Sequence, residues 1–143
     1  MSDRKPTARQ KQLVYDRARG ICEYCLSPAN YSSDYFAIEH IHPRVLGGTN
    51  QLNNLALSCQ GCNSHKFTHI TAIDPMTGIH APLFHPRRDT WSEHFAWNED
   101  YTQITGRTPT GRATVANLHL NRDGVVNQRS LLVLANRRPP FWH

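Results

Sequence analysis

Apolar positions along the chain fall into short, separated segments. The longest uninterrupted run is Leu131 to Ala135, far below the roughly 20 apolar residues of a membrane span. Thr7 to Arg19 predicts a helix, with Val14 and Ala18 on one face at i, i+4 and basic residues over much of the rest. Gly20 is placed to stop it. Tyr35 to Ile41, with Tyr35, Phe36, Ile38 and Ile41, predicts a strand. Pro43 cannot continue a central strand, and Gly47-Gly48 marks a turn. Leu52, Leu55 and Leu57 follow, and then a short helix from Cys62 or Asn63. From Thr71 the chain enters a loop marked by Asp74-Pro75 and Thr77-Gly78. Phe95 and Trp97 alternate with Ala96 and Asn98, as on a half-buried strand. Thr108-Pro109 predicts an N-cap with proline at N1, opening a helix through about Leu120 with Val115 and Leu118 on its apolar face. Trp91, Phe95 and Trp97 can share a core with the first half. The expected fold is therefore α+β, in two stretches, 1–70 and 71–143, packed as one domain.

Composition narrows the function. A chain of 143 residues suits one domain. Three Trp, five Phe and five Tyr exclude a disordered chain. Met1 to Gln12 is polar and basic with no apolar core, so no secretory leader is expected and the cytoplasm is the default. No membrane partner is expected either. Sixteen Lys+Arg against eleven Asp+Glu give a formal charge of +5. Only Lys5, Lys11 and Lys66 are lysines, and arginine is the side chain suited to bidentate phosphate contacts. Nucleic acid leads as partner, beside the plainer reading of a soluble basic protein.

Four cysteines form two pairs, Cys22-x-x-Cys25 and Cys59-x-x-Cys62. Without a secretion signal a disulfide scaffold is disfavoured. Two CxxC knuckles describe a tetrahedral four-thiolate zinc site, with a pair of redox motifs as the alternative.

Between and after the knuckles the chain reads Glu39-His40-Ile41-His42-Pro43, Gly47-Gly48, Asn54-Leu55, then Cys59-Gln60-Gly61-Cys62-Asn63 and Lys66. This pattern, from Cys22 to Lys66, resembles the HNH endonucleases whose ββα-metal core is stapled by a four-cysteine zinc. The resemblance implies a metal-dependent endonuclease that hydrolyses phosphodiester bonds in DNA. It implies His40 as general base, and Glu39 with Asn63 as ligands of one catalytic Mg²⁺, Mn²⁺ or other divalent cation. Asn54 would hydrogen-bond across the loop and hold His40. Lys66 would face phosphate. A histidine near its ordinary pKa of about 6.5 is available as a base near neutrality. One carboxylate and one amide oxygen leave coordination sites for water and phosphate.

Alternatives stay open for several residues. Successive strand residues point to opposite faces, so Glu39 and His40 serve one phosphate only where the strand bends or ends. His42 contacts metal or DNA, or is a surface residue, and Arg44 is a further nucleic-acid contact. His65 is a reserve metal ligand, and His69, at i+4 from it, falls outside the site. Residues 71–143 resemble the extension of small bacterial or phage HNH proteins. Its Arg87, Arg88, Arg107, Arg112, Arg122, Arg129, Arg137 and Arg138 include some phosphate contacts beside solvated surface. The competing function is a non-catalytic zinc-knuckle binding module, or a partner-dependent component of a restriction or defence system. A single copy nicks, whereas a homodimer or larger assembly cuts both strands.

Overall fold

The computed structural model describes residues 5–139, so the start of the polar stretch Met1 to Gln12 lies outside the described residues. Thr7 opens the first helix with a capping box: its hydroxyl accepts from Gln10 N–H, and Gln10 Oε1 accepts from Thr7 N–H. Helix α1 spans Ala8–Arg17. Arg19 and Gly20, at φ 56° and 67°, then turn the chain out of the helix. Val14 and Ala18 pack on Leu55 and Leu57 in a small core of their own.

Strand β1 (Ala37–His40) pairs antiparallel with β2 (Leu55–Ser58), Glu39 opposite Ala56 and His40 opposite Leu55. The strand is shorter than Tyr35 to Ile41 because Tyr35 stands 95% exposed, with no layer to cover it. After His40 the chain leaves the strand and runs through a short 3₁₀ turn, Arg44–Leu46. Gly47 sits at φ 94°, and a Cβ on Gly48 would lie 1.8 Å from the His42 carbonyl oxygen. The Gly-Gly pair is therefore a steric requirement of this loop.

Helix α2 (Gln60–Lys66) packs against β1, completing a ββα unit. It starts before Cys62 because Cys59 itself caps it, accepting from Cys62 N–H. Glu23 of the first knuckle covers the free edge of β2, exchanging hydrogen bonds with Leu57 O and N–H.

The second half adds a hairpin of β3 (Thr71–Ile73) and β4 (His80–Pro82), helix α3 (Trp91–His94), a second hairpin of β5 (Phe95–Trp97) and β6 (Ile104–Gly106), and helices α4 (Pro109–Leu118) and α5 (Asp123–Leu134). The first hairpin replaces an expected loop. Its turn uses Asp74, which accepts from Met76 N–H and the Thr77 hydroxyl. Helix α4 has its expected cap, Thr108 accepting from Gly111 N–H. Helix α5 was not legible: its buried residues are Val125 and Arg129, one apolar and one charged, so no apolar stripe marks it.

The larger core joins both halves. The four cysteines and Tyr24 pack with Phe84, Trp91, Phe95, Ile104, Leu118 and Leu120. Trp91 stacks near Phe95 and Trp97, and its indole N–H donates to Tyr24 O at 3.2 Å. Several arginines are structural here. Arg112 makes a bidentate pair with Asp74 and, with the Met76 and Thr77 donors, holds its carboxyl down at about 2. Arg129 is buried, donates to Cys25 O, Leu120 O and Thr102 O, and lies over Trp97. Among the described residues no helix is long and apolar enough to cross a membrane.

Candidate active site and zinc centre

The ligand atoms of Cys22, Cys25, Cys59 and Cys62 lie within 4.8 Å of one another, and all four residues are buried. Cys25 and Cys59 Sγ are 3.6 Å apart. A tetrahedral zinc with Zn–S bonds of about 2.3 Å needs sulfur–sulfur separations of about 3.8 Å. The cluster thus fits one zinc ion, and the core around it suits a structural role. Arg122 reaches it from the start of α5, with Nη2 3.3 Å from Cys59 Sγ and Nη1 3.6 Å from Cys62 Sγ. Burial opposes its charge, but the thiolates hold its pKa above the ordinary value. A resident cation offsets part of the negative charge of a four-thiolate site.

Gly61 is what admits it: a Cβ there would meet Arg122 Nη2 at 2.5 Å. Gly61→Ala is expected to push the guanidinium off the sulfurs while leaving the chain folded. Zinc transfer to a colorimetric chelator should then run about tenfold faster, in the range of lost outer-shell contacts. An unchanged transfer rate would show that Arg122 does not support the metal.

Glu39 lies on the face of β1 that meets the core and α2, and it is 5% exposed. Tyr24 O–H donates to its Oε1 at 2.6 Å. Lys66 Nζ stands 2.8 Å from Oε2 and donates to Ile41 O at 2.8 Å. The Lys66 ammonium is the partner of this buried oxygen, at a distance typical of a charge-assisted pair. Burial raises the Glu39 pKa, with Lys66 and Tyr24 working against the rise. Lys66 was expected to face phosphate. Instead its ammonium is buried, serving as the counter-charge of Glu39.

His40 is the last residue of β1 and faces the other way. Its Nε2 is 2.6 Å from Asn50 Oδ1. With the amide oxygen accepting, the proton sits on Nε2 and Nδ1 is left as the proton acceptor. Gln10 Nε2 donates to Asn50 O, tying this partner to α1. His40 lines a groove of about 450 Å³ with Lys5, Lys11 and Arg44. Asn54 hydrogen-bonds across the loop, as expected, but makes no direct side-chain hydrogen bond to His40 among the described residues. It accepts from His42 N–H at 2.8 Å and donates to His42 O and Thr49 O. Asn50 is the partner that sequence reading missed. Its only sequence signal was its place in the Gly-Gly-Thr-Asn run, ten residues after His40.

Asn63 is half-buried on α2, three residues before Lys66. His42 is exposed, with Nε2–H donating to Leu46 O at 3.0 Å. His65 is away from Glu39, its ring 4.3 Å from that of His119. Helix α2 ends at Lys66, so His65 and His69 do not form a helical i, i+4 pair. His69 pairs with Asn117.

Residues 22–68 match the family model described as HNH endonuclease. The Septu protein PtuB of Bacillus thuringiensis is 30% identical over 125 residues, covering 85% of this chain and 45% of the relative. The chain thus spans about half the length of the curated relative it matches. No solved structure matches it.

Proposed function

We propose that the protein, whose residues 22–68 match the HNH endonuclease family model, is a metal-dependent DNA endonuclease with His40 as its general base. The observation that carries the reading is His40 itself. It ends its strand in a groove with Lys5, Lys11 and Arg44, one ring nitrogen occupied by Asn50 and the other without a hydrogen-bond partner among the described residues.

In this reading Lys5, Lys11 and Arg44 offset phosphate charge along the groove. His40 Nδ1 accepts a proton from the attacking water, and Asn50 keeps the ring turned so that this nitrogen meets it. Glu39 and Asn63 would hold a divalent cation, supplying Lewis-acid stabilisation of the phosphate charge. Because Glu39 faces the side of β1 opposite His40, sharing one phosphate requires the end of β1 to turn Glu39 out from under Lys66. The donor chemistry fits: Glu39 Oε2 is a buried carboxylate oxygen already facing a cation, the Lys66 ammonium. Lys66 must yield that oxygen for Glu39 to act as ligand. Asn54 braces the loop that carries the chain away from His40.

The test is supercoiled plasmid incubated with Mg²⁺, Mn²⁺ or EDTA. Nicked or linear product is expected with a divalent cation and none with EDTA. Asn50→Ala, which frees the His40 ring, is expected to slow cleavage about 10²-fold, the cost of misplacing a reacting group. Equal rates for Asn50→Ala and wild type would remove the assigned hydrogen bond from the mechanism.

The Glu39–Lys66 pair also favours a second reading, a partner-dependent component of a restriction or defence system. The chain alone then holds Lys66 on Glu39, and its partner releases it. In that case the isolated chain binds DNA without cutting, and the partner restores cleavage.

A further inference from the structure

A second cleft, of about 680 Å³, shares no lining residue with the His40 groove. One wall is built by the loop after β1 and by α2, with His42, Asn54 and Lys66. The other wall comes from the segment after β4, with His85, Arg88 and His94.

Its polar groups are arranged as donors. His85 Nδ1 accepts the backbone N–H of Arg87 at 3.2 Å and of Arg88 at 3.3 Å. The proton of the neutral ring is therefore on Nε2. Burial, then the nearby Arg88, hold the His85 pKa below the ordinary histidine value. His94 is fixed similarly, Nδ1 lying 2.6 Å from the Thr108 hydroxyl oxygen. The turn between them is set by Asp89, whose Oδ2 accepts from His85 N–H.

Arg87 and Arg88 are adjacent but unlike. Arg87 is half-buried, paired with Glu23, and its pKa is lowered to about 10 by burial. Arg88 is exposed, and among the described residues its guanidinium has neither ion pair nor hydrogen bond. A cation at a cleft mouth beside the His85 Nε2–H donor is an anion site suited to a phosphate oxygen.

We propose that the second half of the chain forms a second DNA-contacting cleft apart from the His40 groove, in which Arg88 with His85 Nε2–H grips a phosphate of the DNA backbone other than the scissile one. The inference rests on the nuclease reading above. It gives the extension a substrate-binding task, where several of its other arginines brace the fold.

The test is binding of a short fluorescent DNA duplex to the full zinc-loaded chain in the absence of a catalytic cation, read by anisotropy across a salt series. Arg88→Gln is expected to weaken binding about tenfold and to lower the slope against log salt by about 1, the signature of one lost phosphate contact. Arg137→Gln, at a guanidinium stacked over Tyr31 away from the cleft, should change neither. His85 separates binding from folding. His85→Asn keeps an acceptor near the Nδ1 position and loses the Nε2 donor, so it should weaken binding. His85→Gln keeps a donor near Nε2 and should bind more nearly as wild type. The reverse order would make His85 only a turn acceptor and overturn its part. Equal losses for Arg88→Gln and Arg137→Gln would mean diffuse attraction and overturn the cleft assignment. So would normal binding by Arg88→Gln, and either result leaves the nuclease reading standing. Failure of the wild type both to bind and to cleave DNA would overturn that reading as well.

Discussion

Cys59→Ser is expected to release the zinc and unfold the whole described chain. The four thiols are not a peripheral clasp. They sit inside the larger core with Tyr24, Phe84, Trp91, Phe95 and Leu118, which come from both halves. Cys59 also caps α2, the helix that carries Asn63 and Lys66. Structural zinc sites contribute about 10–16 kcal/mol of apparent binding energy. A domain of this size has a net stability of only about 5–15 kcal/mol. Loss of one thiolate therefore removes most of the margin. The expected result is a metal content well below one zinc per chain, together with loss of the helical circular dichroism signal. A variant with undiminished zinc and an unchanged melting curve would show that the four-thiolate assignment is wrong.

Lys66→Met is expected to destabilise the fold by about 3–5 kcal/mol, the cost of leaving a buried charge without its partner. Both side chains of the pair are almost wholly buried, at 2% and 4% exposure. Without the ammonium, Glu39 keeps only the Tyr24 hydroxyl. Its pKa is already raised by burial, with Lys66 opposing the rise, so the variant should raise it further. The sign follows from the proton count. A folded-state carboxyl with a raised pKa binds its proton more tightly than the unfolded chain does. Stability is then greatest below the unfolded value of about 4.3, and it falls as pH rises through the folded one. The Lys66→Met penalty should therefore be larger in mildly alkaline than in mildly acidic buffer, read as the shift in urea midpoint. Adding Glu39→Gln should recover much of the loss, since a neutral side chain needs no counter-charge. A pH-independent penalty, or no recovery in the double variant, would mean that Lys66 acts through packing alone.

The zinc ligands, the strand ending at His40 and the capped helix at Thr108 were legible because local chemistry fixes each of them. A CxxC spacing brings two sulfurs to one knuckle, Pro43 stops a strand, and Thr-Pro opens a helix. Much of the remainder depends on which neighbour a side chain meets, and that is set by the tertiary arrangement. Glu39 and His40 are adjacent in sequence but face opposite sides of β1, so one is buried with Lys66 and the other lines a basic groove. Lys66 reads as a phosphate contact because the family resemblance puts a basic residue facing phosphate at that position. Only the packing of α2 against β1 brings it to Glu39. Asn54 bonds across the loop as expected, whereas the contact to His40 comes from Asn50, a residue not singled out in the sequence. The arginines of the second half were expected to divide between solvated surface and a few phosphate contacts. Arg112, Arg122 and Arg129 instead hold Asp74, the cysteine sulfurs and backbone carbonyls. Charge composition alone could not separate these from Arg88.

The measurement that tests the central claim most directly is plasmid cleavage by His40→Ala beside wild type, both with full zinc content and intact circular dichroism. With a divalent cation the account predicts nicked or linear product from the wild type and a rate about 10²–10⁴-fold lower from the variant, the usual contribution of a general base. Cleavage by a folded His40→Ala at the wild-type rate would contradict it, and would move the search for the base to His42 and the second cleft.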